Sequence, residues 1–243
     1  MMGGRHLLRG WGADLVCLQE TKIEVISRAV VSSLWGGQHM GWYQFMGSSG
    51  VSGGILVMWD TKVLEMEEVS VGLLLISMSF RNIGDGFQWM FIGVYGPNTN
   101  ESRRGLWDEL AGMMAWWNLP TCIRGDFNVV RFPIERSSGG RLTGAMEEFS
   151  DFIRENMLVD LPMIGGDFTW SSNQDQPVLS RIDRFLICGE WETKYSDVIQ
   201  RRLGRVYSDH FPIMLTGNRT GGGRRPFRFE KMWLKVEGFR EQV

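Results

Sequence analysis

Short runs rich in β-branched, aromatic and other apolar residues recur along this chain between clusters of turn residues, at Asp14–Gln19, Gly54–Trp59, Leu73–Phe80, Trp89–Tyr95, Cys122–Phe127, Ile182–Ile187 and Phe211–Leu215. Runs of this length and composition predict strands. Many are neighbours joined by brief Gly, Asn or Asp turns, as around Asn82–Gly86, so the sheets should be mostly antiparallel rather than doubly wound.

Two stretches between these runs carry a helical period instead. They are Glu101–Trp117 and Thr143–Leu158, the second repeating Met146, Phe149, Phe152 or Ile153, and Met157 behind Thr143 as a cap candidate. Helices interspersed with strands predict a mixed layered sandwich. At 243 residues and 43% hydrophobic content the chain can bury one large core, and one domain is expected. No fixed-period repeat appears. The low-complexity element is Gly217–Arg225, followed by a short tail, Pro226–Val243, so the sequence divides into a domain at 1–217 and a linker with the start of a connector at 218–243.

Bulk charge narrows the function less. A formal net charge of -2, from 26 basic and 28 acidic residues, gives no overall positive field, and any polyanion must be met by local patches. Cys17, Cys122 and Cys188 sit inside apolar runs without CxxC spacing, which predicts buried free thiols. The opening MMGGRHLLRGWGADL has no apolar signal core, and no later run is long enough to span a bilayer, so no membrane partner is expected. The expectation is a soluble intracellular protein, nuclear in the nuclease reading given below.

Five clusters are expected to place polar or acidic residues at the C-terminal ends of apolar strands, where a loop would expose them: Gln19-Glu20-Thr21, Tyr95-Gly96-Pro97-Asn98, Gly125-Asp126-Phe127-Asn128, Arg181-Ile182-Asp183 and Ser208-Asp209-His210. Strand-end acids at several points of one chain suggest a converging site. Glu20 offers a carboxylate suited to a hard divalent cation, although a solvated turn is the commoner fate of such a residue. Asp126 and Asn128 flank Phe127, and alternation along an extended segment would turn both to one face. There Asp126 could take a proton from water and Asn128 could fix the carboxylate or donate to a phosphate; an Asx turn is the competing reading.

Of the histidines His6, His39 and His210, the last alone follows an acid at the mouth of an apolar run. Oriented by a carboxylate such as Asp183, His210 would stay protonated near neutral pH and offset charge on a transferring phosphoryl group. Tyr95 could donate to phosphate from the sheet edge or pack as a half-buried ring. Thr169 and Trp170 could supply a hydroxyl and an indole near bound DNA, with a core role equally open for the indole. Arg136 and Arg141 bracket a Ser-Ser-Gly-Gly loop, and Arg201, Arg202 and Arg205 cluster later; each could meet a phosphate or remain a solvated charge.

Taken together and in order, QET, YGPN, GDFN, RID and SDH resemble the motif series of the endonuclease/exonuclease/phosphatase superfamily, which includes apurinic endonucleases and pancreatic-type deoxyribonuclease. The resemblance runs from about Asp14 to Leu215. It implies a four-layer α/β/β/α sandwich of two mostly antiparallel sheets, with a site at one rim holding Mg²⁺ or Mn²⁺. It further implies Glu20 as metal ligand and Asp126 as the group activating water. Asn128 and Tyr95 would orient phosphate, with Asp183 and His210 as a carboxylate–imidazole pair. Asp209 would assist metal or leaving group. Beside what the resemblance implies, Ser208, Thr169, Trp170, Arg136 and Arg141 are the expected substrate contacts. The implied chemistry is in-line attack of water on phosphorus with DNA as partner.

VCLQETK, SDHFPI and the tail RPFRFEKMWLKVEGF are similar to the version of this domain found in plant LINE-type retrotransposons, where the tail leads toward a reverse transcriptase. One departure stands out. The family's opening strand, with an Asn in a context like SWNVRGL, has no counterpart, and the chain begins inside the following helix at about Arg5–Arg9. A domain lacking its first strand is therefore expected, from a decayed or mis-started element copy, with sheet and metal site both weakened. Three readings stay open: a DNA-nicking endonuclease, an inactive relic or weak nucleic-acid binder, and an abasic-site repair nuclease or other phosphoesterase of the same fold.

Overall fold

The computed structural model describes residues 11–21, 23, 25–35, 38–45, 54–205 and 208–217. His6, the helix expected at about 5–9, the strand expected ahead of it and the connector at 218–243 lie outside the described residues. The strands are β1 (Leu15–Gln19), β2 (Met40–Phe45), β3 (Ile55–Asp60), β4 (Leu64–Val71), β5 (Leu75–Asn82), β6 (Gln88–Tyr95), β7 (Thr121–Asp126), β8 (Leu158–Asp160), β9 (Met163–Ile164), β10 (Trp170–Ser171), β11 (Leu179–Ser180), β12 (Asp183–Cys188), β13 (Ile199–Arg202) and β14 (Ile213–Thr216). The helices are α1 (Arg28–Trp35), α2 (Asn100–Trp117), α3 (Gly144–Glu155) and α4 (Gly189–Lys194), with a 3₁₀ turn at Pro133–Glu135.

A six-stranded sheet of order β4-β5-β6-β7-β12-β8 is the backbone of the fold. All its pairings are antiparallel except β6 with β7, which run parallel because α2 connects them. The other strands form a sheet β1-β3-β2, a sheet β14-β13-β9 and the short pair β10-β11. The second sheet expected from the resemblance is thus present in two three-stranded pieces. Among the described residues β1 pairs with β3 alone and β14 with β13 alone.

Period-two alternation explains the layers. Met90, Ile92 and Val94 of β6 face one way and join Leu106, Trp107 and Leu110 of α2 with Phe149, Phe152 and Ile153 of α3. Trp89 and Phe91 face the other way, toward Ile55, Val57 and Trp59 of β3 and Trp191 of α4. The opposite face of β3, Leu56 and Met58, packs on Val31 of α1. Helices, sheet, sheet and helix follow one another, so the four-layer α/β/β/α sandwich stands. Trp107 stacks on Phe149 and Phe152 at 5.1 and 4.8 Å, fixing the two long helices on one sheet face.

The strand and helix expectations hold in place, with corrections at the ends. α3 stops at Glu155, Asn156 caps it, and Met157 turns left-handed (φ 50) and is 82% exposed, so Met157 is not part of the buried stripe. Thr143 occupies the cap position without a side-chain cap bond. β2, β4, β8, β9, β10, β11, β13, α1 and α4 were not expected from the sequence, and Leu158, expected in the second helix, opens β8. Among the described residues the cysteines are free, Cys122 buried but Cys17 and Cys188 only part-buried, and no helix is long and apolar enough to cross a membrane.

Candidate active site

The parallel pairing within the six-stranded sheet positions the chemistry. Because β6 and β7 run together, their carboxyl ends come level, and Tyr95 sits opposite Asp126. β12 runs back against β7, so its first residue, Asp183, also lies opposite Asp126. β1 belongs to the facing sheet, and Glu20, just past its end, meets the same rim: the Tyr95 hydroxyl donates to Glu20 Oε1 at 2.6 Å. Two of the five clusters depart from the expected geometry. Asp183 opens its strand instead of closing one, and Ser208-Asp209-His210 precedes β14. An antiparallel strand brings its beginning to the rim where its neighbour ends, so convergence survives the change.

The Gly96 turn depends on having no side chain. Its amide donates to the Asp126 carbonyl at 2.6 Å, and a Cβ would lie 2.6 Å from the Phe127 carbonyl carbon. Asn128 is left-handed (φ 51), its amide donating to Asp126 Oδ1 at 2.9 Å and its side chain to the Gly96 carbonyl at 2.6 Å. The Asx turn therefore replaces the extended alternation expected through GDFN. The Asn128 side chain clamps the Tyr95-Gly96 turn against Asp126, and that is how it bears on the site.

His210 is held from two sides. Its Nδ1 lies 2.8 Å from Asp183 Oδ2, and its Nε2 stands 4.0 Å from Asp126 Oδ2. Burial works against the imidazolium, but the bond to Asp183 and the charges of Asp183, Asp126 and Asp209 outweigh it and raise the pKa to about 9. Burial and the Asp183 charge push Asp126 up to about 7, partly countered by His210, the Asn128 amide and Arg124. Burial, the bond to Glu20 and the charges of Glu20, Asp126 and Asp209 hold the Tyr95 phenol well above its usual range, so it persists as a donor.

Asp209 accepts from the Trp170 indole at 3.0 Å and from Ser208 Oγ at 3.3 Å. Burial opposes its ionisation, yet those bonds and His210 leave its pKa lowered. Trp170 also pairs with His210 through the backbone. Its indole N–H is thus spent on the site.

Thr169 requires a correction. It is fully buried, and its hydroxyl accepts the amides of Ile182 and Asp183 at 3.0 and 2.9 Å, so it fixes the start of β12 and does not reach a substrate. Arg136 and Arg141 lie exposed on the loop after β7, and His39 is exposed as expected.

Two cations were missed in the sequence. Arg124, hidden in the apolar run of β7, reaches Asp183 Oδ1 at 3.8 Å and bonds Gln19, whose amide in turn donates to the Val94 carbonyl. Arg103 of α2 bonds the carbonyls of Asn98 at 2.9 Å and Asn128 at 2.7 Å, tying both loops to one guanidinium. No short motif marks either one.

The donors available to a metal are carboxylate oxygens, the chemistry preferred by Mg²⁺ and Mn²⁺. Among the described residues no three His, Cys, Asp or Glu side chains converge closely enough to enclose an ion. A divalent cation at this rim would thus be held through one or two carboxylates, of which Glu20 and Asp209 are the candidates.

Comparison with known proteins bears on the family and the fold. The pattern of the Endonuclease/Exonuclease/phosphatase family matches residues 5–210. The endonuclease domain of TRAS1, a telomere-specific non-LTR retrotransposon, superposes with a TM-score of 0.67 at 12% identity, covering 90% of this chain and 94% of that one. The AP endonuclease LMAP from Leishmania major gives 0.67 at 15% identity, over 88% and 81%. The human Nocturnin catalytic domain with bound sulfate gives 0.56 at 14% identity, over 89% and 88%. Likenesses at these identities are likenesses of fold. No curated protein matches the sequence.

Proposed function

The chain belongs to the Endonuclease/Exonuclease/phosphatase family, and from that premise we propose that its rim site hydrolyses DNA phosphodiester bonds, nicking one strand as a retrotransposon-type endonuclease does. The observation that carries this reading is the His210–Asp183 pair at 2.8 Å with the buried Asp126 facing the other imidazole nitrogen.

Asp126, with a pKa near neutrality, is suited to accept a proton from water as its oxygen bonds to phosphorus. His210, protonated at that pH and oriented by Asp183, presents Nε2–H to a non-bridging phosphate oxygen as charge builds there. The attacking oxygen gains its bond to phosphorus as the bond to the leaving ester oxygen breaks in line; the water proton passes to Asp126, and the leaving oxygen takes a proton from solvent to give the alcohol. Tyr95 holds Glu20, and Asn128 holds the turn that carries Tyr95. Glu20 and Asp209 would hold Mg²⁺ or Mn²⁺, which supplies charge neutralisation on the phosphate and on the leaving oxygen.

The retrotransposon setting draws support from the fold likeness to the TRAS1 domain and from the LINE-like motifs; the fold likeness to LMAP supports DNA as substrate more generally. The test is nicking of supercoiled plasmid in Mg²⁺ by this chain and by Asp126→Ala and His210→Ala. Loss of about a hundredfold or more in both variants is expected. Variants that nick as fast as their parent would overturn the assignment, and preference for abasic over intact duplex would favour the repair nuclease.

A further inference from the structure

The loop between β7 and α3 exposes what a soluble surface ordinarily hides. After the buried Val129 and Val130, Phe132 is 43% exposed and Ile134 84%, with Pro133 between them. A single exposed apolar residue is unremarkable, but here the apolar side chains stand together on one short turn.

This turn is held rigidly from below. Pro133–Glu135 is a 3₁₀ turn, and the buried Glu135 carboxylate folds back to accept the amides of Arg131 at 2.6 Å and Phe132 at 3.2 Å. Glu135 also bonds Arg184, which is fully buried and pairs in turn with Asp160 at 2.7 Å. The Arg131 guanidinium lies 4.9 Å from the centre of the Phe132 ring. The buried ion network thus anchors the base of the turn beneath its exposed apolar tip.

The tip stands beside the candidate site. The Arg181 amide donates to the Glu135 carbonyl at 2.9 Å, and Arg136 pairs with Ser180, three residues before Asp183. The Arg136 charge is also felt by Arg103, which binds the Asn128 carbonyl and senses Asp126. Arg136 and Arg141 are exposed and form no salt bridge among the described residues.

We infer that Phe132–Pro133–Ile134 is an apolar wedge that enters a groove of duplex DNA and unstacks a base step next to the bond cleaved at the His210 site, while Arg136 and Arg141 meet the flanking phosphates. An apolar tip flanked by exposed guanidinium groups matches a duplex in both chemistries: the stacked bases are apolar and the backbone is anionic. The inference rests on the nuclease reading.

The test measures binding of the whole chain, in EDTA, to short duplexes that carry 2-aminopurine at successive positions, and to the matching single strand. With the native chain, fluorescence should rise at one step of the duplex. Ile134→Ser should abolish the rise and weaken duplex binding about five- to tenfold, with the thermal midpoint and single-strand affinity unchanged, whereas Ile134→Met should keep the rise. Arg136→Ala should reduce the slope of log affinity against log salt by about one. If the native chain nicks plasmid but Ile134→Ser retains both the fluorescence rise and the affinity, the wedge is wrong and the nuclease reading stands. If the native chain neither binds nor nicks DNA, both fall.

Discussion

His210 Nδ1 lies 2.8 Å from Asp183 Oδ2, and the far nitrogen of the same ring stands 4.0 Å from Asp126. One imidazole thus links two carboxylates from neighbouring strands.

Asp183 should therefore control both the charge and the aim of His210. In Asp183→Asn the neutral amide no longer favours the imidazolium, and the His210 pKa should fall from about 9 toward the ordinary 6.5. The side-chain NMR titration reads this without any turnover, because the sequence holds only three histidines. Plasmid nicking should drop about a hundredfold at neutral pH. A His210 titration unmoved by the substitution would show that the pair is geometric only.

The same shifts set a pH dependence of stability without metal. His210 has a folded pKa of about 9 against 6.5, and Asp126 about 7 against 3.8, so the folded chain binds more protons than the unfolded one. The His210 contribution is fully present below pH 6.5 and is lost as pH climbs through 9; that of Asp126 is present below 3.8 and lost through 7. Melting in EDTA should shift several degrees downward between pH 6.5 and 9.5, and His210→Gln should flatten the slope. A midpoint that rose over this range would contradict the assigned protonation states.

How much of this was legible in the sequence depends on where the information resides. β3 and β6 were clear because every residue but those at their ends is buried, on one face or the other. β4 was not, since Glu65, Glu67 and Glu68 point outward and a bulge between Met66 and Glu68 interrupts the alternation. Glu20, Tyr95, Asp126, Asp183 and His210 were legible as strand-end residues, but which end faced the rim depends on pairing direction, a long-range property. Thr169 looked like a substrate hydroxyl because nothing local reveals that two amides consume it. Arg124 was invisible for the opposite reason, being one charge inside an apolar run.

The ion network of Glu135, Asp160, Arg181 and Arg184 was illegible for similar reasons, since each residue alone reads as a solvated charge. Glu135→Ala leaves Arg184, with no exposed surface, short of an anion and two amides short of an acceptor. Removing one partner of a buried ionic set costs about 3 kcal/mol, so the urea midpoint should fall accordingly. A change under about 0.5 kcal/mol would mean that the loop relaxes to let water in.

Tyr95 separates metal binding from proton handling. Its hydroxyl donates to Glu20 Oε1 at 2.6 Å and does not bond His210, so Tyr95→Phe removes a restraint on the proposed metal carboxylate while leaving the Asp183 bond to His210 in place. Loss of such an outer partner weakens metal affinity by about ten- to a hundredfold. The Mg²⁺ concentration for half-maximal nicking should rise by that order, much of the rate should return at saturating Mg²⁺, and the His210 titration should barely move. Competition by Mn²⁺, followed through water-proton relaxation, checks the affinity directly. If Tyr95→Phe instead lowered the saturated rate and left the Mg²⁺ midpoint unchanged, the phenol would act on the phosphate, and Glu20 would lose its role as the residue Tyr95 prepares for a cation.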